Sequence, residues 1–247
     1  MRKSNIILWG MFAIAVTMMT VLQSAVYRRD KHNEVEDDSF YKKKNELENY
    51  TVQQLGPFTS IKIENSDDVG IAYSSEYKVL IKKNILQRPS IKQEGNELTI
   101  HEIDNKNYDY EFSDGGISNK RIIIYCPSFN HIQLYKTSLQ IDSFPPTGIV
   151  SINLTADKGA FYLGNNFFGI EDYPHGKINF GSLNVMLKGS SKFLFNANCT
   201  SKRMQINATN YSSIELRSKD LGDSLQMNIG DSCTIGLLGS IFKKVKN

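Results

Sequence analysis

The sequence predicts an all-β protein, and three observations support this fold class. From Phe58 onward, apolar and polar residues alternate in short runs, as they do in half-buried strands. Turn-forming segments such as Glu94-Gly95-Asn96 separate the runs. Near the carboxyl end, a set of five apolar positions returns every 21 residues. A short fixed period of this kind is typical of a chain that winds into stacked coils, so we expect a β-solenoid, a β-helix-like domain.

An apolar segment at the amino terminus predicts a membrane-spanning helix. Ser4 to Tyr27 are 24 residues without a charge, which as a helix would extend about 36 Å and cross a bilayer core of about 30 Å. The alternative is a cleaved signal peptide, whose cleavage site would place Gln23 and Ala25 at positions that favour small residues. Since glutamine fits such a position poorly, we expect a retained signal anchor. Residues 5–27 are then the membrane contact, and residues 1–27 form a cytoplasmic tip and anchor.

Residues 28–57 are expected to form a charged juxtamembrane linker. Residues 28–50 contain 13 charged side chains of both signs and few apolar ones, too few to offset the entropy of ordering the chain. Basic residues flank the anchor on both sides, so the positive-inside count leaves the orientation open. Export of the following domain is compatible with this count, because long carboxyl-terminal domains translocate largely regardless of flanking charge.

Residues 58–247 are expected to form the β domain. The run from Arg121 to Tyr125 is continuously apolar after its first residue, which predicts a strand covered on both faces. The coils are expected to begin after Pro127. A longer stretch from Gly164 to Gly176 interrupts them, and insertions of this kind lie on one face of a solenoid, often the binding face. The candidate ligand-contact residues in this loop are Phe167, Phe168, Glu171, Asp172, Tyr173 and His175.

The strict repeat begins at Leu183. Its five apolar positions in three successive coils are Leu183, Val185, Leu187, Phe193 and Phe195; Met204, Ile206, Ala208, Ile214 and Leu216; and Leu225, Met227, Ile229, Ile235 and Leu237. Polar positions recur in the same register, with Asn184, Gln205 and Gln226 as one set and Gly189, Asn210 and Asp231 as another. At about 3.3 Å per extended residue, one repeat has a contour length of about 70 Å, which suits one coil.

A set of short motifs occurs in a fixed order between residues 58 and 240. They are Phe58 to Ile63, Val69-Gly70-Ile71, Tyr77-Lys78-Val79, Glu94 to Ile100, Ile122 to Pro127, Lys188 to Ser191 and Gly230-Asp231-Ser232. In these motifs the domain resembles a known family of exported bacterial proteins, the putative auto-transporter adhesin head domain or GIN domain. The resemblance implies a β-solenoid outside the cytoplasmic membrane with an adhesive or cell-envelope role, and it brings no catalytic residues with it.

No residue pattern predicts a catalytic, cofactor or metal site. Cys126, Cys199 and Cys233 are far apart and form no C-x-x-C pair, and the four histidines lack metal-ligand spacing. A net charge of +3 without a basic stripe argues against nucleic-acid binding. The oligomeric state is left open.

Two functions remain for comparison. The favoured one is a single-pass protein of the cytoplasmic membrane whose extracytoplasmic domain, in the periplasm or at the cell surface, binds a glycan or an envelope protein without catalysis. The alternative is a β-helix enzyme, a polysaccharide lyase or glycoside hydrolase, which requires a pair of catalytic groups. Asp157 with Glu171, or Asp157 with Lys158, are the nominated pairs.

Overall fold

A computed structural model of the chain describes residues 48–66, 68–85, 88–102, 120–143, 151–164, 178–218, 221 and 224–237. The chain divides into two compact units, residues 1–48 and residues 49–247, and the second unit contains nearly all the described residues. Among the described residues, no helix has the length and apolar character needed to cross a membrane. The span expected at residues 5–27 lies outside this part of the chain, as does most of the expected linker.

The described part of the chain is all-β, which confirms the predicted class. Its strands in chain order are β1 (Tyr50–Gln54), β2 (Ser60–Glu64), β3 (Val69–Tyr73), β4 (Lys78–Lys82), β5 (Ser90–Glu94), β6 (Glu97–His101), β7 (Ile122–Cys126), β8 (His131–Tyr135), β9 (Ser138–Ser143), β10 (Ser151–Asp157), β11 (Ala160–Leu163), β12 (Ile178–Lys188), β13 (Lys192–Phe195), β14 (Cys199–Ala208), β15 (Ser213–Leu216), β16 (Ser224–Ile229) and β17 (Thr234–Leu237). The first of these strands lies within the segment expected to be a linker. It forms there because Tyr50 to Gln54 pair antiparallel with β4.

The strands form two sheets. In the described residues, sheet 1 has the order β1-β4-β7-β3-β9-β11-β13-β15-β17, and sheet 2 has the order β16-β14-β12-β10-β8-β2-β6-β5. From β8 to β17, consecutive strands alternate between the sheets, and each pairs in parallel with the strand two positions later. Antiparallel pairing is confined to β1, β4 and β7 in sheet 1 and to β5 and β6 in sheet 2 among the strands just given.

The core lies between the two sheets and is made by the inward side chains of both. Because side chains alternate across a strand, the inward positions of the repeat form continuous apolar rows from strand to strand. Phe193 and Phe195 of β13, for example, are fully buried, with ring centroids 6.3 Å apart. The outer face of sheet 1 is also partly buried, at Leu80 and Ile123 among other residues. The run at Ile122 to Ile124 is therefore covered on both faces, as its sequence predicts.

The order of strands in space differs from their order in the chain near the amino-terminal end. β2 lies between β6 and β8 in sheet 2, and β3 lies between β7 and β9 in sheet 1. Parallel pairing thus begins with β2 and β3, earlier than the start after Pro127 that the repeats predict. The predicted start of the parallel pairing after Pro127 was therefore too late. The spacing of apolar residues along a chain does not indicate which strand, distant in sequence, lies between two others in a sheet.

Candidate ligand-binding surface

A shallow, open groove lies on the outer face of sheet 2, where β2, β8, β10 and β12 run side by side. Its volume is about 330 Å³. The lining residues, all from these four strands, are Lys62, Glu64, Gln133, Leu134, Tyr135, Thr155, Asp157 and Lys188. We call this the sheet 2 groove.

The parallel register arranges the outward side chains of the groove in two rows. Lys62, Gln133 and Thr155 are opposite one another in successive strands and form the first row. The second row, one outward position further along each strand, consists of Glu64, Tyr135, Asp157 and Lys188. Neighbouring strands are about 4.8 Å apart, so each row spaces its functional groups at nearly regular intervals. Such a surface can contact several units of an extended ligand.

An ion-pair network holds the β2 side of the groove. Lys62 Nζ lies 2.8 Å from Glu64 Oε1, and His101 Nδ1 of β6 lies 3.5 Å from Glu64 Oε2. The hydrogen bond from Lys62 lowers the pKa of the Glu64 carboxyl below its ordinary value, and the charges of Lys62 and His101 act in the same direction. The same hydrogen bond raises the pKa of Lys62. Glu64 is therefore a fixed anion at neutral pH.

The opposite side of the groove contains polar groups without partners. Among the described residues, the side chains of Gln133, Thr155, Asp157 and Lys188 form no hydrogen bond or ion pair, although Asp157 and Lys188 are opposite each other in the β10–β12 register. Each side chain has hydrogen-bonding capacity that is available at the surface. These four residues provide donors and acceptors to a molecule placed in the groove.

Tyr135 lies in the middle of the second row and is the exposed aromatic residue of the groove. Its exposed fraction is 36%. The ammonium group of Lys136 lies 5.5 Å from the centroid of its ring, within the range of a cation–π interaction. Lys136 is placed there by a left-handed turn, with φ of 46°.

A glycine next to the groove leaves room for the Asp157 carboxylate. Gly189 has φ of 58°, and a Cβ atom there would overlap Asp157 Oδ1 and lie 3.1 Å from Lys158 Cγ. The absence of a side chain at Gly189 thus lets the Asp157 carboxylate approach the turn after β12 closely. Asn210, in the turn after β14, takes the same left-handed conformation with φ of 55°. The recurrence of Gly189 and Asn210 therefore reflects a shared turn geometry.

A row of one histidine and four amide side chains continues the polar surface beyond the groove. His131, Asn153, Asn184, Gln205 and Gln226 occupy one outward row across β8, β10, β12, β14 and β16. Asn184 Nδ2 donates a hydrogen bond to Asn153 Oδ1 at 2.9 Å. This register confirms the predicted recurrence of Asn184, Gln205 and Gln226.

Comparison with known proteins assigns the family. The profile described as putative auto-transporter adhesin, head GIN domain, matches residues 57–238. The chain belongs to this family. No curated protein matches the chain.

Solved structures from two bacterial genera align with most of this chain. A putative adhesin from Bacteroides fragilis has a TM-score of 0.46 and 11% identity, over 76% of this chain and 96% of the other. A putative lipid binding protein from Parabacteroides distasonis has a TM-score of 0.34 and 13% identity, over 76% and 94%. A putative adhesin from Parabacteroides merdae has a TM-score of 0.32 and 10% identity, over 76% and 95%.

The site residues predicted from the sequence fall largely outside the described part of this GIN domain. The six loop residues predicted to contact a ligand all lie outside the described residues; they are Phe167, Phe168, Glu171, Asp172, Tyr173 and His175. Of the nominated catalytic residues, Asp157 lies in the groove, whereas Lys158 is in the adjoining turn with φ of 53°.

Four groove residues were not predicted as site residues from the sequence: Lys62, Glu64, Tyr135 and Lys188. Each occupies an outward position of a strand whose inward positions were recognised, so alternation alone identifies them as surface residues. Alternation does not predict that β2 pairs with β8. This pairing places Lys62 and Glu64 on the same face as Tyr135 and Asp157.

The cysteines of this GIN domain are unbonded. Cys126 and Cys199 are buried, and Cys233 is half-buried. Burial raises the pKa of the Cys126 thiol to about 12, and burial likewise raises the pKa of the Cys199 thiol. Within the described ranges, no three His, Cys, Asp or Glu side chains are grouped so as to hold a metal ion.

Proposed function

We propose that this chain is a membrane-anchored binding protein whose GIN domain holds a polar ligand in the sheet 2 groove without catalysing a reaction on it. The observation that supports this most directly is the set of polar side chains that have no partner among the described residues, Gln133, Thr155, Asp157 and Lys188, on one exposed face. Together with Tyr135 they offer hydrogen bonds of both kinds and an aromatic surface.

The ligand class that fits these groups is a hydroxyl-rich chain such as an envelope glycan. Sugar hydroxyls both donate and accept hydrogen bonds, which matches a surface that combines acidic, amide and basic groups. The two parallel rows are extended across the strands of sheet 2 and the groove is open to solvent, an arrangement that suits a polymer. An apolar ligand such as an acyl chain fits less well, since polar side chains dominate the groove.

Glu64 is not suited to be the general acid of a glycoside hydrolase. A general acid in glycoside hydrolysis needs a carboxyl group with a raised pKa, so that it is protonated at neutral pH. The pKa of Glu64 is instead lowered by its hydrogen bond to Lys62. Glu64 is thus suited to hold a charge.

The domain organisation supports an exported location. We propose that residues 5–27 anchor the protein as a single span in the cytoplasmic membrane, that the part of residues 28–57 before β1 acts as a spacer, and that the β domain, with β1 in its first sheet, lies in the periplasm or at the cell surface. The alternation of strands between two parallel-paired sheets supports a β-solenoid for this domain, with coils of about 21 residues toward its carboxyl end. The family to which the chain belongs is one of adhesin heads, which act outside the cytoplasm.

A direct test titrates the purified full chain, in mild detergent, with fractionated envelope polysaccharides. We expect saturable binding to one or more fractions and no change in polysaccharide length during incubation. Dextran, a neutral glucan, is the control for nonspecific association. Shortening of the polymer would favour the enzymatic alternative, and an absence of saturable binding to all fractions would contradict the proposed glycan ligand.

A further inference from the structure

The last coil differs from the coil before it in how much of its apolar surface is buried. In β14 and β15 the inward residues are fully or almost fully buried, as at Ile206 and Ile214. Met227 of β16 lies opposite Ile206 and is only half-buried. Ile235 of β17 lies opposite Ile214 and is 42% exposed. The five inward side chains at this end are Leu225, Met227, Ile229, Ile235 and Leu237. Within the described residues, the core is thus less completely covered at the end formed by β16 and β17.

Both edge strands at this end also present backbone groups to the outside. Within the described residues, β16 pairs only with β14 and β17 only with β15. Thr234 N donates to Ser212 O of the inner neighbour, and Gly230 N donates to Ala208 O. Because alternate residues of a parallel strand bond to the same neighbour, the N–H and C=O groups of Met227 and Ile235 face the free side. The apolar side chains and the free backbone groups therefore belong to the same residues.

The two described strands at this end lack the charged residues and prolines that often prevent association through strand edges. Neither Ser224–Ile229 nor Thr234–Leu237 contains a charged residue or a proline. The edge strand at the other end of sheet 2, β5, carries Lys92 and Glu94. Natural proteins protect free edges with charges, prolines or bulges, and an edge without them is suited to pairing.

We propose that the β16–β17 end is a homodimer interface, in which two copies of this chain meet end to end about a two-fold axis. Such an axis, lying in the plane of the end and perpendicular to the strands, pairs β16 with β16 and β17 with β17 in antiparallel fashion. Both sheets and the core then continue across the interface. Since an isologous contact sets each patch against itself, it requires a patch without like charges, and the uncharged strands meet that requirement.

The number of backbone hydrogen bonds across the interface is adequate for a stable dimer. Pairing six residues of β16 and four of β17 with their counterparts forms about ten backbone hydrogen bonds. This number is typical of specific protein interfaces. The five inward apolar side chains of each copy become buried in the same step.

The test compares two glutamines that share one register position. Gln205 and Gln226 are both exposed on the outer face of sheet 2, but Gln205 lies on the interior strand β14 and Gln226 on the edge strand β16. In the dimer, Gln226 lies opposite its own counterpart or close to it, because the two-fold axis passes through the middle of the short strand. Gln226→Lys therefore brings two ammonium groups together, whereas Gln205→Lys does not.

The dissociation constant of the full chain is measured in mild detergent by sedimentation velocity over a range of concentrations. We expect a dimer whose dissociation constant rises at least tenfold in Gln226→Lys and changes less than twofold in Gln205→Lys, with unchanged circular dichroism in both. Ile235→Lys should abolish the dimer, and a chain ending at Leu237 should retain it. A monomeric wild type, equal effects of the two glutamine substitutions, or loss of the dimer on removal of residues 238–247 would overturn the proposal.

Discussion

Val185 lies directly opposite Ile206 in the parallel pairing of β12 and β14, and both side chains are buried in the core. Ile206 is in turn opposite Met227 of β16. The sequence separation is 21 residues in each case, so the repeat of apolar residues corresponds to the hydrogen-bonded register of neighbouring strands. The register also holds at the other four apolar positions of the repeat.

Substitution of Ile206 tests the energetic importance of this register. Its side chain has neighbours on both sides and no exposure, so Ile206→Asp places a charge without a partner in the core. We expect the free energy of unfolding to fall by at least about 4 kcal/mol, measured by circular dichroism in urea. Because β14 pairs with both β12 and β16, limited proteolysis should cleave residues 183–237 more readily than residues before Pro127.

Asn207→Asp is the matched control, since it introduces the same side chain one position further along β14. Asn207 is on the outer face and only half-buried. We expect a change of about 0.5 kcal/mol or less. Similar stability losses in the two variants would mean that the repeat does not define the buried face.

Two glycines separate the effect of backbone conformation from that of packing. Gly95 has φ of 56°, and a Cβ atom there would have no neighbour within 4 Å. Gly164 has φ of 82°, and its Cβ atom would overlap Asn198 Oδ1 and lie 2.8 Å from Cys199 Sγ. We expect Gly95→Ala to cost about 1 kcal/mol, from the left-handed conformation alone. Gly164→Ala should cost about 3 kcal/mol in the same urea experiment. Equal costs would show that Asn198 moves aside without penalty.

The Lys62–Glu64 pair predicts a dependence of stability on acid pH. Because folding lowers the pKa of Glu64, its contribution is complete above the ordinary pKa of 4.5 and is lost as the pH falls through the folded value. Folding raises the pKa of Lys62, so its contribution is complete below 10.5 and is lost only at higher pH. Lys62→Met should therefore cost about 0.5 kcal/mol at pH 7, as exposed pairs do.

This cost of Lys62→Met should shrink when urea unfolding is repeated at pH values below 4.5. Lys92→Met is the control, because Lys92 is an exposed lysine of the same sheet that forms no ion pair among the described residues. Its effect should not change with pH in this range. A cost of Lys62→Met that stays constant down to a pH of about 2, well below the ordinary pKa of a carboxyl group, would contradict the assigned pair.

The predicted anchor is tested by membrane extraction. If residues 5–27 span the membrane, the protein should remain in the membrane pellet after a wash in alkaline carbonate and should begin at Met1 or Arg2. Removal of residues 1–27 should release it into the soluble fraction. Recovery of a natural soluble form that begins near Val26 would instead demonstrate a cleaved signal peptide.

The sequence predicted the part of the fold that depends on short-range pattern. Alternation and the 21-residue repeat identify the inward residues of β12 to β17, because each of these strands pairs with the strand two positions away in the chain. The place of β2 between β6 and β8 was not predictable from the sequence. Ile61 and Ile63 show that β2 has a buried face, but many strands are equally apolar, so these residues do not indicate which strands pair with β2. The groove depends on that insertion. Asp157 was recognised as a candidate, but its proximity to Glu64 and Tyr135 was not.

The most direct test of the proposed function compares two exposed tyrosines. Tyr135 lies in the groove, whereas Tyr211 is 75% exposed in the turn after β14 and does not line the groove. The affinity of the full chain for the polysaccharide fraction that it binds is measured by isothermal titration calorimetry for Tyr135→Ala and Tyr211→Ala. We expect Tyr135→Ala to weaken binding at least tenfold and Tyr211→Ala to leave it within twofold of wild type. Unchanged affinity in Tyr135→Ala, or an equal loss in both variants, would contradict the assignment of ligand binding to the sheet 2 groove.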